Sequence, residues 1–210
     1  MSLRVLVADD HAIVREGFRA LLERNGFDVS AEAVNGQEAV RLADEIRPDI
    51  AVLDVSMPIL NGLDAGREIQ RAHKNTHVVL LTMHAEDHLM AAALRAGIRA
   101  YVLKSQATED LVLAIRSVMR RQIYLSPGIS KFAVDAYING ETAPADPLAP
   151  RERQVLQLVA EGKTSKEIAS VLGLGTKTAE SYRARVMRKL DIHDTAGLVR
   201  YAIRHGMVQA

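Results

Sequence analysis

Short apolar runs alternate with longer amphipathic segments along the first part of the chain. Four of these runs are rich in Val, Ile and Leu and occupy residues 3–8, 50–53, 78–81 and 100–103. Runs of this length without polar alternation are typical of parallel strands that are buried on both faces. A fifth and more polar run near residues 27–33 predicts a strand at the edge of the sheet.

The segments between these runs have helical periodicity. Up to residue 122, helices are predicted at residues 11–24, 37–46, 63–73, 86–96 and 109–121. Strands that alternate with helices favour right-handed crossovers and a parallel sheet. Residues 1–122 are therefore predicted to form an α/β domain with a doubly wound, five-stranded parallel sheet.

The pattern changes after residue 122. Residues 123–147 end in the sequence NGETAPADP and are predicted to form a linker, with room for a short helix at 129–138. Residues 148–210 are predicted to form a small all-α domain. Its helices are predicted at residues 151–161, 165–172, 177–190 and 195–205.

Polar side chains follow four of the predicted strands. Asp9 and Asp10 follow the first strand, Asp54 the third, Thr82 the fourth and Lys104 the fifth. The ligand site of an open α/β sheet lies beyond the carboxyl ends of its strands. The fold is therefore predicted to gather three carboxylates, a hydroxyl and an ammonium at one end of the sheet.

This set of groups indicates metal-dependent phosphoryl transfer. Two carboxylates about 4 Å apart repel each other by about 4 kcal/mol at an effective dielectric near 20, so the cluster needs a cation. Oxygen ligands favour Mg²⁺ or Mn²⁺ over zinc. A carboxylate beside that metal can attack a phosphoryl group and become an acyl phosphate. A lone Asp pair after a strand is more often a helix cap and a solvated turn; the complete set favours the chemical function.

Composition limits the class of protein. The 210-residue chain has no cysteine, which excludes disulfides and thiolate metal sites. It has no unbroken apolar run of about 18 to 20 residues and no basic-then-apolar signal at its N-terminus. We therefore expect a cytoplasmic protein.

Charge is divided unevenly between the two predicted domains. Residues 1–122 carry 15 Lys/Arg and 17 Asp/Glu, whereas residues 148–210 carry 11 Lys/Arg and 6 Asp/Glu. A basic domain attached to a mildly acidic one predicts a polyanionic partner for the basic domain alone.

The basic domain has the outline of a helix-turn-helix. Residues 165–190 contain a predicted helix, a GLG turn and a second helix. Ala179, Tyr182, Val186 and Leu190 recur at helical spacing and predict the packed face of the second helix. A major-groove contact is one interpretation of the opposite face, and an ordinary solvated helix is the other. That face and its flanks consist of Lys177, Glu180, Ser181, Arg183, Ala184, Arg185 and Arg188.

The first domain resembles the receiver domain of bacterial two-component response regulators. The matching motifs are VADDH at residues 7–11, LDVSMP at 53–58, NG at 61–62, LT at 81–82 and YVLK at 101–104. The resemblance implies that Asp54 is the phospho-acceptor and receives its phosphoryl group from a partner sensor histidine kinase. It also implies Mg²⁺ ligands at this site, namely Asp9, Asp10, Asp54 and the backbone carbonyl of Ser56.

The same resemblance implies a conformational switch. Thr82 and Tyr101 would be the switch pair, and Lys104 and Thr82 would contact the phosphoryl group. Phosphorylation would favour a homodimer. The protein would slowly hydrolyse its own aspartyl phosphate and would not be a turnover enzyme.

The C-terminal domain resembles the LuxR-type DNA-binding domain. The motifs are PRERQVL at 150–156, GKTSKEIA at 162–169, TAESYR at 178–183, RKL at 188–190 and LVRYA at 198–202. Together the two resemblances indicate the NarL/FixJ group of response regulators, which bind double-stranded DNA as transcription regulators. The implied DNA-binding residues are Lys166, Lys177, Thr178, Glu180, Ser181, Arg183, Ala184, Arg185 and Arg188. Glu180 stands where some members of the group have Lys, so their operator preference does not transfer.

Two alternatives remain at this point. The first is a metal-dependent phosphotransferase or phosphatase of the haloacid-dehalogenase type, although such enzymes have Asp-x-Asp after the first strand and here Asp9 and Asp10 are adjacent. The second is a regulator whose receiver acts through protein contacts without phosphorylation, against which the complete acidic set argues.

Overall fold

The computed structural model describes residues 2–83, 87–127 and 147–208, with side chains undescribed at 87 and 88. The chain divides into two compact units, which are treated separately below. The short helix predicted at 129–138 and most of the predicted linker lie outside the described residues. The predicted domain boundaries at 122/123 and 147/148 stay a prediction.

The first unit contains a parallel sheet flanked by helices. Its strands are β1 (Arg4–Ala8), β2 (Asp28–Ala33), β3 (Ile50–Asp54), β4 (His77–Thr82), β5 (Ala100–Leu103) and β6 (Tyr124–Leu125). Their order is β2-β1-β3-β4-β5-β6, so the doubly wound α/β fold and the edge position of β2 are confirmed. The predicted number of strands was wrong, because the described residues form a sheet of six strands and not five.

The sixth strand is held by side chains as well as by its backbone. β6 has two residues and pairs with β5 through Ala100 and Tyr101. Directly after it, the buried hydroxyl of Ser126 donates to the Asp110 carboxylate and accepts the backbone N–H of Leu103. A two-residue strand gives no periodic signal, and this polar anchor joins segments 16 and 23 residues apart, so the local pattern did not reveal it.

Helices cover both faces of the sheet. They are α1 (Ala12–Arg24), α2 (Gly36–Ile46), α3 (Gly62–Ala72), α4 (Asp87–Arg95) and α5 (Ala107–Met119), with a 3₁₀ turn at Lys104–Gln106. The central strands are fully enclosed: Val5, Ile50 and Val79 have no exposed surface. This burial explains why their sequences are continuous apolar runs.

The strand register brings the polar strand ends together. Ala8 pairs with Leu53, Asp54 pairs with Leu81, and Thr82 pairs with Leu103. Because all the strands are parallel, the residues that follow them emerge at one end of the sheet.

The second unit is all-helical, as predicted. Its helices are α6 (Pro150–Ala160), α7 (Ser165–Leu172), α8 (Thr176–Leu190) and α9 (Thr195–Arg204). They enclose an apolar core that includes Val155, Ile168, Val186 and Leu198. In the part of the chain that the structure describes, no helix is both long and apolar enough to span a membrane.

Candidate functional site

One lysine joins two carboxylates at the carboxyl end of the sheet. Lys104 Nζ lies 2.8 Å from Asp9 Oδ2 and 2.9 Å from Asp54 Oδ2. Asp9 has no exposed surface, Asp54 is 2% exposed, and the Lys104 side chain is 11% exposed. The structure therefore brings together groups from β1, β3 and β5 that are separated by up to 95 residues in the chain. Burial keeps such an ion pair from being screened by salt as a surface pair is.

Asp9 has an oxygen that can accept a further ligand. Its Oδ1 accepts the backbone N–H of His11 at 2.9 Å. Its Oδ2 is buried beside Lys104 but accepts no hydrogen bond of normal geometry from the described residues. Asp10 is more exposed, and its Oδ1 lies 2.9 Å from Nδ1 of His11. A buried carboxylate oxygen with lone pairs to spare, next to a second carboxylate, fits a hard divalent cation such as Mg²⁺.

The structure also places His11 within this cluster. One ligand atom each from Asp9, Asp10 and His11 lie within 4.8 Å of one another, so these three side chains form a candidate cation site by distance. The His11 side chain is 70% exposed. A cation held by Asp9 and Asp54 instead would use oxygen ligands alone, which Mg²⁺ prefers.

Burial affects the pKa values of both Asp54 and Lys104. Burial raises the pKa of the Asp54 carboxyl above its ordinary value, and the Asp9 charge adds to this rise, while Lys104 and the Ser56 backbone N–H oppose it. Burial alone would lower the pKa of Lys104, but the charges of Asp54 and Asp9 outweigh it and raise that pKa. A cation bound beside Asp54 would further favour its charged, nucleophilic form.

A glycine that was not predicted as a site residue shapes this end of the sheet. Gly62 is the first residue of α3, and its backbone N–H donates to the Val55 carbonyl at 3.0 Å. A Cβ on Gly62 would lie 2.0 Å from the backbone oxygen of Asp54. The helix thus approaches the Asp54 backbone at a distance that only glycine allows. The NG pair at residues 61–62, just after a strand, was the available sequence signal.

The predicted switch residues lie on one face of the sheet. Thr82 ends β4 and is 5% exposed, and Tyr101 on β5 is 2% exposed. Thr82 pairs with Leu103 and Leu80 pairs with Tyr101. Alternate residues on a strand share a face, so Thr82 lies on the same face as Leu80 and as Tyr101, which pairs with Leu80. Thr82 and Tyr101 therefore point to the same side of the sheet, two residues apart along the strand direction.

The second candidate site is the exposed face of α8. Ala179 and Val186 are buried against the domain core, as predicted, whereas Tyr182 and Leu190 are half-buried. Arg183 is half-buried as well. The other predicted DNA-binding residues are exposed, namely Lys166, Lys177, Thr178, Glu180, Ser181, Ala184, Arg185 and Arg188.

Two arginines on this helix already have partners within the unit. Arg183 Nη2 donates to the Thr195 hydroxyl at 2.6 Å. The Arg185 guanidinium lies 4.4 Å from the centre of the Tyr182 ring, in cation–π geometry. Both arginines are therefore orientated by neighbours, whereas Arg188 is exposed without a contact of this kind within the described residues.

An ion pair that was not predicted, between a partly exposed lysine and a buried carboxylate, anchors the end of α8. Lys189 Nζ lies 2.7 Å from Glu152 Oε2, and Glu152 is 3% exposed. The same carboxylate oxygen accepts the backbone N–H of Ala149 at 2.8 Å and so caps α6. Burial alone would raise the pKa of Glu152, but hydrogen bonds from Lys189 and Ala149 hold it below its ordinary value.

Comparisons with known proteins match both units. Residues 5–116 match the response regulator receiver domain, and residues 146–202 match the bacterial regulatory proteins of the luxR family. Response regulator UvrY of Escherichia coli strain K12 is 37% identical over 211 residues, which cover 99% of this chain and 97% of UvrY.

Solved structures of RcsB are similar over almost the whole chain. RcsB from Salmonella enterica serovar Typhimurium, bound to promoter P1flhDC in the presence of the phosphomimetic BeF3−, is 27% identical with a TM-score of 0.60; the match covers 96% of this chain and 98% of RcsB. A second structure contains two RcsB dimers bound to two parallel DNAs, with 27% identity, a TM-score of 0.57 and coverage of 96% and 98%.

These matches decide against the first of the two alternatives that the sequence left open. Proteins that join a receiver domain to a LuxR-type domain regulate transcription and are not turnover enzymes. The phosphotransferase or phosphatase alternative was therefore wrong. Receiver domains bind Mg²⁺ at an acidic pocket, in agreement with the chemistry of the Asp9 cluster. The chain belongs to the NarL/FixJ family of two-component response regulators, in which a receiver domain is joined to a LuxR-type helix-turn-helix that binds DNA.

Proposed function

We propose that Asp54 accepts a phosphoryl group from the phosphohistidine of a partner sensor histidine kinase, and that this step controls DNA binding. The contact of Lys104 with both Asp9 and Asp54 is the observation that carries the proposal. An Asp54 oxygen forms a P–O bond while the P–N bond of phosphohistidine breaks, and the released imidazole takes up a proton. The product is an acyl phosphate, which the protein itself slowly hydrolyses.

Each group at the acidic end has a role in this step. Asp9, Asp10, Asp54 and the Ser56 carbonyl would hold Mg²⁺ or Mn²⁺, which when bound neutralises charge on the phosphoryl oxygens. Lys104 donates to one phosphoryl oxygen and so keeps its place beside Asp54. Donors that are fixed before the reaction need no reorganisation as charge moves onto the phosphoryl group.

The test is phosphorylation by a small donor. With Mg²⁺ and acetyl phosphate, the parent protein should gain one base-labile phosphoryl group per chain, measured by intact-protein mass spectrometry. Asp54→Asn should gain none, and chelating the metal should have the same effect on the parent. Asp191→Asn is the matched control, because Asp191 has a side chain that is 95% exposed. A phosphoryl group that persists in Asp54→Asn would exclude Asp54 as the acceptor.

We further propose that Thr82 and Tyr101 pass the signal to a dimer. The Thr82 hydroxyl donates to the phosphoryl group and moves toward Asp54, and the Tyr101 ring follows. A shift from 1:99 to 99:1 needs about 5.5 kcal/mol, whereas a hydrogen bond to a charged group supplies about 1.5–3 kcal/mol. Lys104 must therefore contribute to the switch as well.

Substitution of Thr82 separates phosphorylation from its consequence. Thr82→Ala should still take phosphate at Asp54 but dimerise less after phosphorylation, measured by analytical ultracentrifugation. Equal dimerisation of the phosphorylated variant and the phosphorylated parent would remove Thr82 from the switch.

The proposed DNA interface is the exposed face of α8, in a cytoplasmic protein. RcsB dimers bound to DNA support it, as does the exposure of Lys177, Glu180 and Arg188 on one helix. Glu180 can accept a hydrogen bond from cytosine N4. Glu180→Ala should then relax preference at one base pair by about 1–3 kcal/mol in competition binding on a half-site library at fixed salt. An unchanged base preference would place Glu180 outside the readout set.

A further inference from the structure

A basic cleft lies at the end of the sheet opposite to Asp54. It is formed where β4 and β5 begin, beside the ends of α3, α4 and α5, and its volume is about 890 Å³. This volume is within the range of small-molecule sites, about 300–1,000 Å³. No Asp or Glu is among the described residues that line the cleft, but six cationic residues are: Arg67, Arg71, Lys74, Arg95, Arg99 and Arg121.

Most of this positive charge has no counter-charge in the described residues. Arg67 pairs with Asp64 at 2.9 Å, and the other five cationic side chains make no ion pair within the described parts of the chain. Basic residues are common near helix ends because each carboxyl end carries about −0.5 charge. Three helix ends supply about −1.5 against five unpaired cations. Helix ends therefore account for less than half of the charge.

The backbone at Arg121 also indicates that helix ends do not account for all of the positive charge in the cleft. Arg121 has φ +60°, its N–H donates to the Val118 carbonyl, and Gln122 N–H donates to Ser117. This is the Schellman ending of a helix, whose left-handed position is usually glycine. The chain has arginine at this strained position, and Arg99 Nη1 donates to the Arg121 carbonyl at 2.8 Å.

His77 reports the positive field inside the cleft. Burial lowers the pKa of His77, and the charges of Arg99 and Arg121 lower it further, while Asp49 acts in the opposite direction. The cleft therefore disfavours a further positive charge even where an aspartate is near.

We infer that this cleft binds a small molecule that carries several phosphate groups. Guanidinium groups match phosphate oxygens in two-point hydrogen bonds. The excess of about three to four positive charges left after the helix ends corresponds to a triphosphate or a similar anion. No Phe, Tyr or Trp is among the described residues that line the cleft, so the phosphate groups, and not a stacked base, are what the site recognises.

Calorimetric titration of the full-length, unphosphorylated chain tests this inference. Tripolyphosphate, ATP and AMP are titrated separately, without Mg²⁺ and at fixed salt. Tripolyphosphate and ATP should bind with similar affinity, and AMP at least about tenfold more weakly, because it lacks most of the charge. ATP binding much tighter than tripolyphosphate would overturn the conclusion that the phosphates are what is recognised.

The variant Arg121→Gly removes a charge from the cleft without an expected loss of folding stability, so a change in its affinity would not result from unfolding. Glycine suits the left-handed position, so the variant should be at least as stable as the parent, yet bind tripolyphosphate about fivefold more weakly. The adjacent Arg120→Ala, which removes a charge outside the cleft, should bind as the parent does. Arg188→Ala, on the DNA-binding unit, should also leave this affinity unchanged.

Three results would overturn the inference. The first is equal affinity in the parent, in Arg121→Gly and in the double variant Arg95→Ala/Arg99→Ala. The second is an abolition of tripolyphosphate binding in Arg188→Ala, which would place the site on the DNA-binding unit. The third is a perturbation of the His77 NMR signals by a short DNA duplex but not by tripolyphosphate, which would assign the cleft to nucleic acid.

Discussion

The acidic end of the sheet and the exposed face of α8 hold their functional side chains in opposite ways. Asp9, Asp54 and Lys104 are buried and contact one another, so packing sets their positions before any ligand arrives. Lys177 and Arg188 are exposed, and their positions are free to follow a bound partner. A site for covalent chemistry benefits from groups that are already in place. A surface that contacts DNA phosphates works through charge, which acts without one fixed side-chain geometry.

This difference has consequences for mutation. Substitutions at the acidic end should change folding stability together with chemistry, because the same contacts serve both. Substitutions on the exposed face of α8 should change DNA affinity with little effect on stability.

The largest effect is expected at Gly62. Gly62→Ala places a Cβ 2.0 Å from the Asp54 backbone oxygen, so α3 or β3 must move, and we expect a decrease of at least about 3 kcal/mol in the stability of the receiver unit. Hydrogen exchange of β3 amides would measure it. The matched control is Gly17→Ala on α1, where a Cβ meets nothing within 4 Å, and which should stabilise by about 0.5–1 kcal/mol. Equal stability of the two variants would contradict the close approach of α3.

Lys189 is expected to be an exception among the residues of α8, because it pairs with a buried carboxylate and its substitution should therefore lower stability. Lys189→Met removes one of the two hydrogen-bond donors that the described residues give to the buried Glu152 carboxylate and leaves the Ala149 N–H. Because the lysine is partly exposed, the expected cost is about 1–3 kcal/mol. Amide hydrogen exchange at Val155 and Leu156, in the core of α6, is the readout. Protection at the parent level would show that the pair contributes nothing to stability.

Acidification should act on the same pair with a smaller effect. The pKa of Glu152 is lowered in the folded state, so the carboxylate adds stability above the pKa of an unfolded glutamate, about 4.3. This stability disappears as the pH falls through the lowered folded pKa. Glu152→Gln should therefore show a shallower decline of α6 protection with falling pH than the parent. Parallel pH profiles would exclude Glu152 as a source of the dependence.

The smallest change in stability is expected at Arg188. Arg188→Ala should alter stability by less than about 0.5 kcal/mol, because the side chain is exposed. It should weaken specific and random DNA binding alike and reduce the log–log salt slope by about one unit, because one arginine no longer neutralises a phosphate. Fluorescence anisotropy over a salt series measures both quantities. A change confined to one DNA sequence would mean that Arg188 reads a base instead of a phosphate.

Sequence periodicity was sufficient for most of the fold, because its signals are local. Continuous apolar runs located β1, β3, β4 and β5, and the limits of the described helices agree with prediction to within two residues. The parallel arrangement then placed Asp54 and Lys104 at one end of the sheet, since residues that follow parallel strands share that end. Both sites could therefore be predicted as sets of residues.

Contacts between distant segments were decided only by the tertiary structure. β6 depends on Ser126 meeting Asp110 and Leu103, and the Glu152–Lys189 pair joins residues 37 positions apart. The close approach at Gly62 and the convergence of three helix ends on the basic cleft also depend on how whole elements pack.

The sequence by itself therefore determined most of the described elements, their order along the chain, the family and the members of the acidic set, because apolar periodicity and strand-end polarity are properties of short segments. The tertiary structure decided which of those members touch, which of the described cations have no counter-charge and which arginines of α8 are already held by a neighbour. The physical reason is that burial and charge pairing are properties of three-dimensional neighbourhoods: Lys104 contacts both Asp9 and Asp54 only after β1, β3 and β5 have aligned.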